Sequence, residues 1–514
     1  MPKKKTDSFI LEIPLKVTPS EENRLLARLE AARQVYNACL GESLKRLRLK
    51  RQSKAYQAAL KMPKGKARML AFRDANAAVG FREYDLHAYA KQFNHCWIGE
   101  HLDINTIQKL ATRAFKAVQQ YGFGRRGRPR FKGINQMDSV EGKSNKSGIR
   151  WREPFVEWLG MELQAVIDPD DAVIVHGLSC RIKYARLVRR KLNGCNRFYV
   201  QLICEGKPYQ KPKNAIGQGC VGLDLGPSTI AAVGEDTAFL AQFCAELDTY
   251  QKEIRLLQRK LDRQRRANNP GNYQPDGTIK PGRKTWHKSA RQCQTETKLA
   301  EIQRKQAAYR KSLHGQLVNR VLRMGDVIKL EKLSYRAFQR QYGRSVGMRA
   351  PGMFVAQLKR KAESAGASVV EFPTRTTRLS QTCHNCGQVV KKPLSQRWHT
   401  CDCGIKAQRD LYSAFLAQCV EDGELNADRA KAAWSGVDAL LQAALSEAAR
   451  KSGAQAANGR KSPSSFGLPA GRRKSGSPVK SSVNASEAQD VVPPLSQAVG
   501  EFEKACRISR TPGL

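Results

Sequence analysis

Three acids and four cysteines have the residue types and spacings that chemistry needs. Asp224 lies in Val221-Gly222-Leu223-Asp224-Leu225-Gly226. Strand alternation puts Val221, Leu223 and Leu225 on one face and Gly222, Asp224 and Gly226 on the other. Two glycines beside an acid leave an open face, where a metal or a backbone can come close. Glu331 sits in the otherwise apolar run Val327-Ile328-Lys329-Leu330-Glu331-Lys332-Leu333. An acid there is costly unless it is paired or metal-bound; a pairing with Lys329 or Lys332 on an edge strand is the plainer reading. Asp410, in Gln408-Arg409-Asp410-Leu411-Tyr412-Ser413-Ala414-Phe415, falls near the start of a predicted helix. On its own it reads as a charge that complements the helix dipole.

The cysteines form two pairs, Cys383-His384-Asn385-Cys386 and Cys401-Asp402-Cys403, with 14 residues between them. Four thiolates from two converging loops suit tetrahedral zinc, and a fully liganded ion is structural rather than catalytic. Gly387 and Gly404 follow the pairs, as tight ligand turns require. The second pair has one intervening residue where a zinc ribbon normally has two. His384 or His399 could therefore replace a thiolate, although a surface imidazole is the simpler reading of each.

The elements that must carry these residues follow from periodicity. Strands are expected at Gly219–Leu225, Thr229–Val233, Val327–Leu333 and Ser368–Phe372, with a long basic helical stretch over 247–322 that the Asn/Pro/Gly-rich loop 267–283 interrupts. Upstream, Phe9, Leu11, Ile13, Leu15 and Val17 alternate as a half-buried strand, and Thr18-Pro19-Ser20-Glu21 has capping-box spacing. Helices are expected near 19–40, 67–78, 84–93 and 105–121. Residues 134–215 read as strand-rich, including Ala172–His176 and Arg197–Cys204. The divisions are a β module at 1–17 and 124–215, a helical block at 18–123, an α/β domain at 216–454 with the cysteine insert at about 376–408, and a basic tail at 455–514. The tail is Ala/Ser/Gly/Pro-rich and is expected to be disordered.

Composition points to the partner. The 514 residues carry 90 Lys and Arg against 46 Asp and Glu, a formal charge of +44. That excess favours a polyanion such as nucleic acid. The 41% apolar content supports real cores and argues against a short structural basic protein. No secretory leader or 18-residue apolar run is expected. The 14 cysteines are mostly solitary, which suits a reducing compartment and a cytoplasmic location.

Taken together, a strand Asp, a later strand Glu, the cysteine knuckles and a helix-start Asp resemble the RuvC-type nucleases of the TnpB family. These are transposon-encoded, RNA-guided proteins related to type V CRISPR effectors. Arg33, Val35, Tyr36 and Asn37 resemble that family's first recognition helix, and Gly127–Gly133 its Pro-Arg-Phe-Lys segment. The resemblance implies a multidomain α+β architecture. A β-barrel-like wedge would carry an inserted helical recognition domain, followed by an RNase H-like RuvC domain interrupted by a zinc ribbon.

The resemblance also implies that Asp224 bridges two catalytic Mg²⁺ ions, for which Mn²⁺ can substitute, while Glu331 and Asp410 hold one each. Cys383, Cys386, Cys401 and Cys403 would hold one structural Zn²⁺. The implied partners are a guide RNA, one chain per guide, and a double-stranded DNA target beside a short adjacent motif. Expected nucleic-acid contacts are Arg33, Tyr36, Asn37, Arg125, Arg126, Arg128, Arg130 and Lys132, and the basic helices near Arg255–Arg266. The family's Asp-Arg-Asp-x-Asn run reads Gln408-Arg409-Asp410-Leu411-Tyr412 here, which bears on the geometry around Asp410. Competing expectations are a compact type V CRISPR effector, a guide-independent resolvase or transposase, and a guided DNA-binding protein without cleavage.

Overall fold

A computed structural model describes residues 6–393, 395–457 and Phe466. The N-terminal strand Ser8–Pro14 pairs antiparallel with Cys195–Glu205, and the sheet continues through Ile182–Leu192 to Ser139–Glu141. The long hairpin and the first strand therefore share one sheet, although about 180 residues separate them in sequence. Between them lie helices Pro19–Gln52, Lys54–Lys61, Lys66–Ala78, Glu83–Ala90 and Ile104–Gly122. The capping box forms: Thr18 Oγ1 accepts from the Glu21 N–H, and Glu21 Oε2 accepts from the Thr18 N–H at 2.8 Å. The helical faces and the sheet bury one core that includes Leu11, Ile13, Val35, Leu40, Ile107 and Val200.

One expected strand is a helix. Ala172–Ser179 is helical, because Asp171 caps it by accepting from the Val173 N–H at 2.8 Å. Gly177 then lies against Leu11, with no room for a Cβ, which would meet Leu11 Cδ2 at 2.6 Å. The local cap and the tertiary contact outweigh the β preference of Val173, Ile174 and Val175.

The second sheet is mixed, in the order Ala238–Gln242, Thr229–Val233, Cys220–Leu225, Val327–Glu331 and Ser368–Phe372. The first three strands form an antiparallel meander, while the last three run parallel. Helices Asp248–Asn268 and Ala290–Met324 fill the long connection between Ala238–Gln242 and Val327–Glu331. Val221, Leu223 and Leu225 point into a core with Val318, Ile328, Phe354 and Leu358. The chain ends its described course in the helix Ala427–Ala457, so the first three residues assigned to the tail continue a helix. The rest of the tail, Phe466 apart, lies outside the described residues. Among the described residues, no helix is long and apolar enough to cross a membrane.

Candidate active site and zinc cluster

Sheet register brings the first two acids together. Cys220–Leu223 pairs in parallel with Val327–Leu330, ending at Leu223 opposite Leu330. The next residues on the two strands are Asp224 and Glu331. They therefore stand side by side at the carboxyl ends of adjacent parallel strands, the end of an α/β sheet where ligand sites form. Asp410 arrives from outside the sheet, in the first turn of the helix Arg409–Gln418. Gln408 caps that helix by accepting from the Leu411 N–H at 2.8 Å. Thr229 and Gln408 hydrogen-bond with the Asp410 carboxylate.

The helix comes unusually close to the sheet. A Cβ on Gly222 would lie 2.0 Å from the Ala414 carbonyl oxygen and 2.5 Å from the Gln418 nitrogen. The glycine face thus receives a backbone, as its composition allows, but the backbone is that of the Asp410 helix. Two side chains hold the other end. Gln418 Nε2 donates to the Cys220 carbonyl at 2.9 Å. Lys329 Nζ donates to the Gln418 and Val420 carbonyls at 3.1 and 2.5 Å. Lys329 therefore spends its charge on the carbonyl end of this helix and is not an ion-pair partner of Glu331. Its position two residues before Glu331, on the same strand face, was the sequence signal for it.

The three acids lie deep in the molecule yet keep partial access to solvent. Asp224 is pushed well above its usual range by burial and by the negative charges of Asp410 and Glu331. Burial raises Glu331 to about 7. Burial also raises Asp410, against the opposing pull of Arg397 and Arg409. Such mutual repulsion in a low-dielectric setting is what a divalent cation relieves, and the all-oxygen donor set suits Mg²⁺. The residues present fit that ion. The carboxylates are more loosely grouped than the cysteines, which are the one tight metal-capable set among the described residues.

The four sulfurs of Cys383, Cys386, Cys401 and Cys403 lie within 4.8 Å of one another. Cys383 and Cys403 are 3.5 Å apart, and Cys386 and Cys401 are 3.4 Å apart. Tetrahedral zinc with sulfurs at about 2.3 Å sets neighbours about 3.8 Å apart, so the cluster needs little adjustment. A hydrogen bond from the Ile405 backbone lowers the Cys403 thiol to about 6, favouring thiolate. The single residue between Cys401 and Cys403 does not prevent closure: Gly404 takes φ +90°, and the Cys401 N–H donates to the Ile405 carbonyl at 3.0 Å.

Neither histidine belongs to this tight set. His384 is buried, and its Nδ1 lies 2.8 Å from the Tyr412 hydroxyl. His399 stacks on the Tyr412 ring with centroids 4.2 Å apart, and its Nδ1 accepts from the buried Lys392. Burial and the adjacent Lys392 charge hold His399 down at about 4, so the ring is neutral. Tyr412 is almost fully buried, and its hydroxyl meets His384 within the first cysteine pair.

The expected nucleic-acid residues divide into two groups. Arg125, Arg126, Arg128 and Arg130 are exposed. Arg33 pairs with Glu30 and donates to the Lys132 carbonyl at 3.1 Å. Asn37 exchanges two 2.9 Å hydrogen bonds with the Lys132 backbone. The Tyr36 ring is buried, with the Lys132 amine 5.9 Å from its centroid. These three first-helix residues thus anchor the segment that presents the arginines.

Residues 352–416 match a family model described as Cas12f1-like, TNB domain. The match takes in most of the helix Pro351–Ala365, the strand Ser368–Phe372, the cysteine cluster and Asp410. No curated protein matches the chain. Two similar solved structures are a cryo-EM Cas12f1–sgRNA–target DNA complex and a cryo-EM CRISPR-Cas12f ternary complex. The first has 11% identity and TM-score 0.41, covering 80% of this chain and 98% of that one. The second has 12% identity and TM-score 0.26, covering 78% of this chain and 82% of that one.

Proposed function

We propose that the chain is an RNA-guided DNA endonuclease of the RuvC type, cutting with Asp224, Glu331 and Asp410. The observation that carries this reading is the register that sets Asp224 beside Glu331, with the Asp410 helix docked on the same face at Gly222. Asp224, Glu331 and Asp410 would together hold divalent cations such as Mg²⁺, with Asp224 feeling the negative charges of both other acids. When bound, such ions activate a water and stabilise the departing 3′-oxygen. The protein's own part is to keep three mutually repelling carboxylates converged in a partly enclosed site. Arg397 and Arg409 temper the charge at Asp410. The four cysteines hold a structural Zn²⁺ that takes no part in the chemistry.

The net charge of +44 fits a guide RNA and a DNA target as partners, and a cytosolic setting is consistent with that reading. In this reading the N-terminal sheet is the wedge, the helices over 18–123 are the recognition domain, and the exposed arginines at 125–130 meet phosphate. The guide comes from the mobile element that encodes the protein. A compact type V effector with a CRISPR-derived guide is the second reading, favoured by the Cas12f1-like segment. Sequencing RNA that co-purifies with the protein distinguishes the two.

The test of the main claim is plasmid cleavage by RNA-loaded protein, run beside a target-binding assay. Asp224→Ala is expected to abolish cleavage while guide and target binding persist. Loss of metal-assisted chemistry costs several kcal/mol, each 1.36 kcal/mol being a factor of ten in rate. Cleavage by Asp224→Ala at the wild-type rate would refute the site. A wild type that never cuts a guided target would favour a DNA-binding role without cleavage.

A further inference from the structure

Arg349 ends the helix Tyr335–Arg349 and is buried, held by groups from several elements. Its Nε donates to the Phe243 carbonyl at 3.0 Å, and its Nη1 donates to Ser345 Oγ at 3.3 Å. Its own carbonyl accepts at 2.9 Å from Nε2 of His314, a fully buried ring in the helix Ala290–Met324. A carbonyl can only accept, so Nε2 carries the proton. Ala350 then takes the left-handed conformation, φ 48° and ψ 61°, and the chain enters the helix Pro351–Ala365. A buried cation is costly unless its donors find acceptors.

Both of these side-chain bonds are passed on to one turn. A guanidinium has donors and no acceptor, so Ser345 Oγ must accept from it and keeps its single proton to donate. That proton goes to the Pro227 carbonyl at 2.8 Å. Phe243, held at its carbonyl, donates its N–H to the Ser228 carbonyl at 2.8 Å. Pro227 and Ser228 lie in the turn that joins Cys220–Leu225 to Thr229–Val233, three and four residues beyond Asp224. The turn is tight: the Gly226 N–H donates to the Thr229 carbonyl at 2.9 Å, and a Cβ on Gly226 would meet Thr229 Oγ1 at 2.8 Å. The Thr229 side chain is one of the two that hydrogen-bond with the Asp410 carboxylate. One short turn thus has Asp224 on its entry strand and a contact to Asp410 at its exit.

We propose that Arg349 is a positioning residue for the carboxylate site, acting through Ser345 and Phe243 on the turn that links Asp224 to Asp410. Two relays of one residue each land on adjacent carbonyls and fix both the place and the tilt of the segment; a single bond would leave it free to rotate. A guanidinium that only tied loops together would, when lost, lower stability and leave the affinity of the acids for a cation unchanged. A positioning group sets how the two carboxylates converge, and partners at this remove from a metal typically alter its affinity by about 10–100-fold. The inference rests on the nuclease reading above and adds to it the group that holds two of the acids together.

The experiment titrates the full-length protein with Mn²⁺ alone, by calorimetry, the heat that Asp224→Ala removes being the binding at the acids. Ser345→Ala cuts one relay, Arg349→Met cuts both, and Ser345→Thr keeps the hydroxyl. Mn²⁺ affinity at the acids should fall about tenfold in Ser345→Ala and further in Arg349→Met, while Ser345→Thr should restore it to about the wild-type value. Hydrogen exchange read by mass spectrometry should show the Phe243 amide, the donor to Ser228, exchanging faster in Arg349→Met. Unchanged exchange there overturns the relay. Wild-type Mn²⁺ affinity in Ser345→Ala, or a loss that Ser345→Thr does not restore, overturns the positioning role. Should Arg349→Met fail to fold, the two Ser345 variants decide. A wild type without Asp224-dependent binding refutes the nuclease reading itself, so the two failures are told apart.

Discussion

The Tyr412 hydroxyl lies 2.8 Å from Nδ1 of His384 and also accepts from the His384 backbone N–H at 3.0 Å. His384 follows Cys383 of the cysteine cluster, and Tyr412 stands two residues after Asp410. One buried side chain therefore joins the cysteine knuckle to the helix that carries Asp410.

Tyr412→Phe keeps the ring stack on His399 but leaves both His384 groups without this partner. Unsatisfied buried groups cost about 1–3 kcal/mol. The variant should melt a few degrees lower while its zinc content, measured by atomic absorption, stays at the wild-type value. An unchanged melting temperature would show that the bond contributes nothing.

Gly222→Ala should be far worse than a methyl group usually is. The added Cβ meets the backbone of the Asp410 helix at 2.0 Å, so the helix must move away from the sheet. Overpacking of this kind typically costs about 1–3 kcal/mol and occasionally more. Cleavage should fall by at least tenfold and Mg²⁺ affinity, measured by calorimetry, should weaken, because Asp410 is displaced from Asp224 and Glu331. Lys329→Met should act in the same direction, since it strips the Gln418 and Val420 carbonyls of their donor. Wild-type Mg²⁺ affinity in both variants would disprove this packing role.

One zinc per chain is expected by metal analysis. Cys386→Ser should lose it together with thermal stability, because binding free energy at such a site is folding free energy. A Cys386→Ser protein that melts like the wild type would remove the structural role. His399→Ala should keep the zinc, as its Nδ1 is turned to Lys392.

The acids predict a pH dependence in metal-free protein. Burial raises Glu331 from 4.5 to about 7 in the folded state, so between those values the native state binds more protons than the unfolded chain. Its contribution to stability is therefore lost as pH rises through this window, by at most about 3 kcal/mol. Chemical denaturation from pH 4.5 to 8 should show Glu331→Gln gaining on the wild type toward high pH, with the gap narrowing in Mg²⁺. A gap independent of pH would mean that Glu331 does not titrate in this range.

Local signals were enough to single out the candidate ligands. Glycines beside Asp224, an acid in the apolar run at Glu331, and two close pairs of cysteines are features of residue type and spacing. The capping box at Thr18 and the alternation at Leu11 and Ile13 are equally local, and both form as the chain predicts. What the chain could not reveal are relations between segments far apart in sequence. No spacing rule says that Leu223 pairs with Leu330, and a shift of one residue would put Asp224 and Glu331 on opposite faces. The same holds for Ala172–Ser179, where packing of Gly177 on Leu11 and the Asp171 cap overrule a β-branched run. It also holds for Arg33 and Asn37, expected to meet nucleic acid, whose side chains donate to the Lys132 carbonyl 99 and 95 residues away. The sequence determined which side chains have the chemistry, because ligand type is a property of single residues. The tertiary structure decided which of them meet, because register and the close approach at Gly222 are set by the summed packing of distant elements.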